Sequence, residues 1–397
     1  MSKQQTLWSR SFDRDVGQQL QLEDEIAGQV AAALRLRFSP KARQMVDPQA
    51  YDLYLRGRSA TRVHTPESVG QGHALLQEAV LQAPDFPQAW YELANNYFRA
   101  GFLQPLAEQE RSSALGREAA KRARTLDPDY GAAYGIDSVL TPMFGRWDVI
   151  AAALERAQAL SPHDSDILDW RAHLAVATGR VKAALPLVRE AQTLDPLDNF
   201  TNNSLAHYLT YAERFAEAEA TVNRIAVLWP KGLGAYWYRL WLLVAARRHA
   251  EAAAWLQNDA VKPPDKQPEE YTVLLQAVKA MADGDEDARR AAGLASLKLS
   301  RLGMGYASNS LIVLAGLGQW DMTVDLARSL FLKTGSVKID RSVQFVGDSR
   351  YQRFDEAETV ELFHPFLRPL RASGRLAPVF DGIGLTAYWA KSGAPDP

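Results

Sequence analysis

The amino-acid sequence predicts an all-α solenoid, a curved stack of helix hairpins, from two kinds of regularly spaced residues. Prolines recur every 34 residues, at Pro128, Pro162, Pro196, Pro230 and Pro264. Because proline cannot continue a helix, each of them stops a helix at the same phase of the repeat. Glycines mark a turn between the two helices of a repeat, at Gly101, Gly145, Gly179, Gly284 and Gly318. Glycine suits this position because it accepts the left-handed conformation that ends a helix.

Further residue columns repeat in step with the prolines. Small residues stand five positions before a proline, at Ala79, Ala123, Ala157 and Ala191. Small side chains let neighbouring helices approach closely. We predict eight units, which start near residues 51, 87, 131, 165, 199, 233, 270 and 304. The second unit contains an insertion of ten residues around 102–113, and Glu213 and Arg247 replace the turn glycine in later units.

The first helix of the second unit contains the pattern Trp90-x2-Leu93-Ala94-x2-Tyr97. This pattern and the period of 34 residues resemble the tetratricopeptide repeat (TPR) family. The resemblance implies a right-handed α-solenoid of about eight TPR-like helix hairpins. It also implies that the concave groove of the solenoid binds a peptide or protein segment.

Residues 1–47 resemble the end of a different domain. The segments LWSRSFDR at 7–14 and EDEIAGQVAAAL at 23–34 are similar to the last part of a TolB-like domain. In bacterial transcriptional regulators of the winged-helix, TolB-like and TPR group, this domain precedes the repeats. We therefore predict that 1–47 is a TolB-like remnant, with a short strand and an amphipathic helix. The DNA-binding domain and most of the TolB-like domain are absent from this sequence, so we expect no direct nucleic-acid binding.

The C-terminal part of the sequence resembles the closing helices of the same regulators. The resemblance rests on LFHPFLRPLR at 362–371 and GLTAYWAKSG at 384–393. A solenoid must cover the apolar face of its last repeat. We therefore predict a TPR solenoid over 48–333 and a C-terminal helical cap over 334–397.

Composition and motifs predict a protein that is not an enzyme. The 45 basic and 47 acidic residues leave a formal net charge of −2, and there is no cysteine. The seven histidines include no His-x3-His pair, and no nucleophile, base and orienting group form a recognisable catalytic set. Asp283, Asp285 and Asp287 begin like a calcium loop but lack its glycine and final glutamate. We expect no catalytic residues, no metal and no cofactor.

The inner wall of the solenoid is the predicted ligand groove. Positions one helical turn apart on the first helices share a face, and in the TPR family these positions line the groove. They are occupied by Tyr91, Asn95, Phe98, Asp169, His173, Asn203, His207, Trp237 and Trp241. Asparagine can bond a peptide main chain and tryptophan can anchor it. The alternative is that these side chains only pack between helices, while His173 and His207 could also form a pH switch or a metal pair.

We predict a scaffold for protein–protein interaction, the sensory or adaptor part of a bacterial signalling or regulator-like protein. Two alternatives are a structural module that forms homo-oligomers through the N-terminal strand, and a regulatory appendage of a nucleotide-cyclase-type enzyme. The most apolar stretch, 232–246, is shorter than the roughly 20 residues of a membrane span. We expect no membrane insertion and a cytoplasmic protein, or a periplasmic one in a membrane-anchored regulator.

Overall fold

In a computed structural model of the chain, sixteen helices of the described residues pair into eight consecutive hairpins. The structure describes residues 46–101, 103, 106–230, 233–263, 268–283, 285–341 and 359–396. These residues contain no β-strand, and the predicted all-α solenoid of about eight hairpins is confirmed. The strand and helix predicted within 1–45 lie outside the described residues.

The hairpins are numbered 1 to 8 along the chain. Hairpins 1 to 4 consist of α1 (Pro48–Val63) with α2 (Pro66–Gln82), α3 (Pro87–Gly101) with α4 (Leu106–Leu126), α5 (Gly131–Val139) with α6 (Trp147–Leu160), and α7 (Ser165–Ala177) with α8 (Val181–Leu194). Hairpins 5 to 8 consist of α9 (Asn199–Tyr211) with α10 (Phe215–Leu228), α11 (Leu233–Ala245) with α12 (His249–Gln257), α13 (Pro268–Asp283) with α14 (Glu286–Ser300), and α15 (Met304–Gly316) with α16 (Trp320–Ala327).

The insertion predicted in the second unit lengthens one helix. Helix α4 has 21 residues, whereas α6, α8 and α10 each have 14. The extra residues therefore extend the second helix of hairpin 2, and the order of the hairpins is unchanged.

Proline and aspartate set the beginnings of many helices. Helices α1, α2, α3 and α13 begin at a proline, which fits the first turn because that turn needs no N–H donor. The Asp164 carboxylate caps α7 by accepting from the Ile167 amide at 3.1 Å. Asp198 caps α9 by accepting from the Thr201 amide at 3.0 Å. Such caps satisfy donors that have no partner within the helix.

In hairpins 4, 5, 6 and 8 the turn keeps one conformation whether or not it contains glycine. Gly179 and Gly318 have φ of 81° and 72°. Glu213 and Arg247 occupy the same turn with φ of 58° and 57°. The amide after the turn bonds back into the first helix, as in Arg180 N to Ala175 O and Arg214 N to Leu209 O at 2.7 and 2.9 Å. This bonding pattern requires a residue in the left-handed conformation. Glu213 and Arg247 therefore adopt the conformation that glycine has in the other turns. Gly145 also has a positive φ, of 72°, but lies six residues after the end of α5, and the predicted turn residue Gly101 is the last residue of α3.

The predicted small-residue column forms the contact between helices. Ala79, Ala123, Ala157 and Ala191 have no exposed surface. The large residues that follow small ones in the second helices are also buried, at Val188, Val222 and Leu256. Small side chains permit the close approach and large ones fill the remaining space, as close packing requires.

The first helices line the inner side of the curve. Helices α1, α3, α5, α7, α9 and α11 contact one another in succession. The curvature also brings α1 against α9, so hairpin 1 meets hairpin 5 across the inner face. We use the term inner face for the surface formed by these first helices.

The described C-terminal residues 359–396, which we call the strap, form short helices along the turn edge of the hairpins. Its α-helices are α17 (Arg368–Ala372), α18 (Ala377–Gly382) and α19 (Leu385–Ser392). The Trp147 indole donates to Ile383 O at 2.8 Å, and the Trp389 indole donates to Thr178 O at 2.9 Å. Arg375 pairs with Asp321 of hairpin 8. The strap therefore contacts hairpin 8 and also hairpins 3 and 4. Its role as the predicted cap over 334–397 remains a prediction.

Candidate functional site

Charged side chains, most of them buried, meet on the inner face of hairpins 1, 2, 4 and 5. This inner ionic cluster comprises Arg58, Arg62, Glu92, Arg99, Asp164, Asp166, Asp169 and Asp198. Arg62 Nη2 donates to Asp166 Oδ2 at 2.7 Å, and Arg99 Nη1 donates to Asp198 Oδ1 at 2.8 Å. The two arginines lie at the ends of α1 and α3, and the aspartates lie at the beginnings of α7 and α9. The cluster therefore ties the first two hairpins to the fourth and fifth.

Arg62 and Arg99 keep two of these aspartates ionised. Burial opposes the charge of Asp166, but Arg62 outweighs it and holds the pKa of Asp166 below its usual range. Burial likewise opposes the charge of Asp198, and Arg99 with Arg62 lowers the pKa of Asp198. Burial and the neighbouring Asp166 raise the pKa of Asp164 to about 6. The arginines thus compensate Asp166 and Asp198 more fully than Asp164.

Three of the predicted groove residues contribute to contacts inside the protein. The Tyr91 hydroxyl donates to Asp166, and Asn95 Nδ2 donates to Asp166 Oδ2 at 3.2 Å. The Phe98 ring packs edge-on against Trp170 and Phe200, with ring centroids 6.3 and 5.9 Å apart. All three predicted residues are buried. Their polar and aromatic character therefore serves the junction between hairpin 2 and hairpins 4 and 5.

Asp169 and Asn203 present buried oxygen atoms that have no hydrogen-bond partner among the described residues. The Oδ1 atom of Asp169 is one such atom, although the Ser204 hydroxyl donates to the same carboxylate. Asp169 is 2% exposed, and burial, with Asp198 next, raises its pKa to about 7. Asn203 Nδ2 donates to Asn199 Oδ1 at 2.7 Å, while Asn203 Oδ1 is buried without a partner. Such atoms are uncommon in folded proteins.

His173 and His207 lie on neighbouring helices, α7 and α9. His173 Nδ1 lies 3.3 Å from the Tyr208 hydroxyl, and the His207 ring lies 4.5 Å from the Tyr211 ring. Burial lowers the pKa of both histidines to about 4, and His173 further lowers that of His207. Both side chains nevertheless retain some exposed surface. Because both side chains keep some accessible surface, this part of the inner face is open to solvent.

A third histidine, from the strap, continues this row. The His364 ring lies 5.1 Å from the Tyr211 ring, and the side chain is completely buried. Its Nδ1 accepts from the Phe366 amide at 3.2 Å. Burial, with smaller contributions from His207 and Arg371, lowers the pKa of His364 to about 3. The strap therefore packs against the end of α9 and the turn of hairpin 5.

The predicted tryptophans lie further along the inner face, in hairpin 6. The Trp237 ring stacks on Tyr271, with centroids 5.9 Å apart, and is 9% exposed. Trp241 packs against the same hydrophobic core but is only partly buried. Trp241 therefore retains surface that a ligand can contact, whereas Trp237 mainly joins hairpin 6 to hairpin 7.

The structure divides the predicted groove into two parts. Tyr91, Asn95 and Phe98 belong to the contacts of the inner ionic cluster and its neighbours. The open part consists of partly exposed side chains on α7, α9 and α11, namely His173, Asn203, His207 and Trp241. Asp169 lies at the boundary, one helical turn before His173. Ligand binding by these residues remains a prediction.

Of the charged residues in the inner ionic cluster, the sequence pattern identified only Asp169. The core of the cluster is two ion pairs, Arg62 with Asp166 and Arg99 with Asp198, whose partners are about 100 residues apart in sequence. The repeat period of 34 residues does not predict such distant pairs. The only local sign of the cluster in the sequence was an aspartate at the start of a first helix. Aspartate is common at that position in any helix, because it caps the first turn.

The site offers charged and hydrogen-bonding side chains. Over the part of the chain that the structure describes, no group of three or more His, Asp or Glu side chains is placed to hold a metal ion. The helices of that part include none with the length and apolar character needed to cross a membrane.

Comparison with known proteins finds partial similarity to a regulator. Transcriptional regulator HilA of Salmonella typhimurium is 25% identical over 144 residues, which are 36% of this chain and 26% of that protein. The protein of the same name from Salmonella typhi matches with the same figures. The chain thus spans about a quarter of the length of the curated relatives it matches. No family model matches the chain.

Two solved structures align with this chain. A thermophilic TPR protein of Thermus thermophilus is 18% identical, with a TM-score of 0.37 over 50% of this chain and 98% of that one. Yeast Tom70 is 14% identical, with a TM-score of 0.35 over 95% of this chain and 78% of that one. The assignment of the present chain to the α-solenoids rests on its own eight hairpins.

Proposed function

We propose that the protein is a non-enzymatic scaffold that binds a protein segment on the open part of its inner face. The observation that carries this proposal is the row of partly exposed polar and aromatic side chains on three neighbouring helices, at His173, Asn203, His207 and Trp241. Aromatic anchors beside hydrogen-bonding groups are typical of protein-binding surfaces. TPR-like hairpins provide a rigid concave support for such a row.

The length of the open part limits the bound segment. Arg62, Arg99 and their partners occupy the inner face of the first hairpins, and the strap covers the turn edge beside hairpin 5. A segment that contacts hairpins 4 to 6 therefore needs only a few residues in the groove. We propose a short peptide or loop as the ligand rather than a long extended chain.

The partial similarity to Transcriptional regulator HilA supports a role in regulation. We propose that the chain acts as the sensory or adaptor part of a bacterial signalling or regulator-like system. The proposed location is the cytoplasm, or the periplasm in a membrane-anchored regulator. Oligomerisation through the N-terminal strand remains a sequence prediction, because that segment lies outside the described residues.

The test is affinity capture with a double variant of the open part, Asn203→Ala/Trp241→Ala. A matched control, Leu197→Ala/Val227→Ala, removes two side chains that are 63% and 78% exposed elsewhere. We expect the wild type and the control to recover the same partner and the inner-face variant to lose it, with all three equally folded by circular dichroism. Equal recovery by the inner-face variant would contradict the proposal.

A further inference from the structure

The inner ionic cluster contains more carboxyl groups than guanidinium groups. Among the described residues, its carboxyl groups are those of Glu92, Asp164, Asp166, Asp169 and Asp198. Its guanidinium groups are those of Arg58, Arg62 and Arg99. A buried carboxylate without a counter-ion is costly, because burial removes the solvation of the charge. The cluster therefore has a deficit of positive charge.

Asp169 carries part of this deficit, together with Asp164 and the buried Oε2 atom of Glu92. Arg62 and Arg99 direct their hydrogen bonds to Asp166 and Asp198, and Arg58 pairs with Glu92 at 3.1 Å. The Oδ1 atom of Asp169 is buried and has no hydrogen-bond partner among the described residues. An unpaired carboxylate oxygen inside a protein calls for an N–H or O–H donor. The pKa of Asp169, which burial and Asp198 raise to about 7, is consistent with this lack of a positive partner.

The protein already uses arginine as the partner of the neighbouring carboxylate. Asp166 precedes Asp169 by one helical turn on the same face of α7, and it accepts from Arg62. This side of α7 is therefore suited to planar N–H donors, which match carboxylate oxygens well. Asp169 places a second carboxylate one helical turn further along, where it lacks the arginine partner that Asp166 has.

Asp169 lies beside the open part of the inner face. His173 follows Asp169 by one helical turn, and its side chain is partly exposed. Because burial lowers the pKa of His173 and His207 to about 4, both are neutral at pH 7 and do not repel a cation. The Asp169 side chain is 2% exposed, so a ligand that reaches its carboxylate has to displace neighbouring side chains.

We infer that Asp169 binds the cationic nitrogen of a ligand, an ammonium or guanidinium group that completes the inner ionic cluster. The inference rests on the proposed function, because it names the chemistry that the open part recognises. The nitrogen can belong to a lysine or arginine side chain of a bound segment or to a free amine. Both sources offer the same N–H donors and positive charge.

Isothermal titration with three probes tests the inference. The probes are a flexible Gly/Ser peptide with three arginines, the same peptide with citrulline in place of arginine, and free spermidine. Citrulline keeps the shape of arginine but carries no charge. We expect the wild-type protein to bind the arginine peptide at least about tenfold more tightly than the citrulline peptide, which corresponds to about 1.4 kcal/mol.

The variant Asp169→Asn should remove this preference while keeping an oxygen to accept from Ser204. The control Glu155→Gln changes the net charge equally at an exposed position and should keep the preference. Binding of spermidine alone, lost in Asp169→Asn, would support the inference with a free amine as the source. Equal binding of the arginine and citrulline peptides, with no binding of spermidine, would overturn it, and this comparison needs only the wild-type protein.

Failure of this inference differs from failure of the proposed function. If Asp169→Asn still captures the partner that Asn203→Ala/Trp241→Ala loses, and the wild type shows no preference for cationic probes, the groove binds a segment that is not cationic. If neither variant affects capture, the groove proposal itself fails.

Discussion

Hairpins 1 to 5 and hairpins 6 to 8 are held together by different kinds of contact. In the first group, Arg62 and Arg99 reach across the curve to Asp166 and Asp198, about 100 residues further along the chain. In the second group, the aromatic core around Trp237 and Tyr271 joins hairpins that are adjacent in sequence. The first group is therefore closed by distant ionic contacts, and the second is stacked by contacts between neighbours.

The comparison shows that a repeat protein need not be a simple one-dimensional stack. In such a stack each repeat contacts only its neighbours, and stability is a sum of local terms. The ionic contacts break this rule for hairpins 1 to 5. We therefore expect a substitution in the first group to act over several hairpins and one in the second group to act locally.

The largest effect is expected for Asp166→Ala. This change leaves Arg62 buried without its main partner, and removing one member of a buried ion pair costs about 3–5 kcal/mol. Urea unfolding should show the loss of stability, and amide hydrogen exchange should rise in hairpins 1, 2 and 4 together. The control Glu217→Ala removes an exposed partner of Arg189 and should cost less than about 1 kcal/mol. A rise in exchange confined to hairpin 4 would contradict the distinction between the two groups.

A slightly smaller and local effect is expected for Leu240→Ala. Leu240 is completely buried in the aromatic and aliphatic core of hairpins 6 and 7. Such a cavity costs about 2–5 kcal/mol. Hydrogen exchange should rise in hairpins 6 and 7 and change little in hairpins 1 and 2. Increased exchange in all hairpins would show that the second group is as cooperative as the first.

A moderate effect is expected for Trp389→Phe in the strap. The change keeps the aromatic ring but removes the donor to Thr178 O, and one net hydrogen bond is worth about 1 kcal/mol. Faster exchange of amides near Gly179 should accompany the loss of stability. Lys391→Ala, which removes an exposed pair with Asp148, serves as the control and should leave exchange there unchanged.

The smallest effect is expected from pH at Asp169. Its pKa of about 7 in the folded protein exceeds its ordinary value, so the folded state holds the proton more tightly and stability falls as pH rises toward 7. Asp169→Asn cannot ionise and should avoid this loss. Between pH 6.5 and pH 8, a pKa of about 7 changes the stability by roughly 0.8 kcal/mol, and about 1 kcal/mol corresponds to about 2–4 °C. We therefore expect the melting temperature of the variant, relative to wild type, to be about 2 °C higher at pH 8 than at pH 6.5. An unchanged difference between the two pH values would contradict the raised pKa.

Much of the fold was predictable because its signals are local. Proline ends helices, small residues such as Ala157 and Ala191 permit close packing, and the turn between helices favours a left-handed residue. Even Glu213 and Arg247, which depart from glycine, keep that turn conformation. Residue spacing along the chain is therefore enough to place each hairpin.

The candidate site was only partly predictable. The spacing of first helices placed Asp169, His173, Asn203 and His207 on one face, and the structure has them on neighbouring helices α7 and α9. The spacing could not show that Tyr91 and Asn95 donate hydrogen bonds to Asp166. These contacts depend on how far the solenoid curves, and small differences in packing at each hairpin accumulate along the stack.

The sequence by itself determined the helix hairpins, their number and their turns, because each depends on residues close together in the chain. Only the tertiary structure decided which part of the inner face is closed and which is open. That outcome depends on Arg62 and Arg99 meeting Asp166 and Asp198 and on the strap reaching Trp147 and Thr178. These contacts between distant residues depend on the packing angles of all the hairpins that lie between them. No single stretch of sequence determines those angles together.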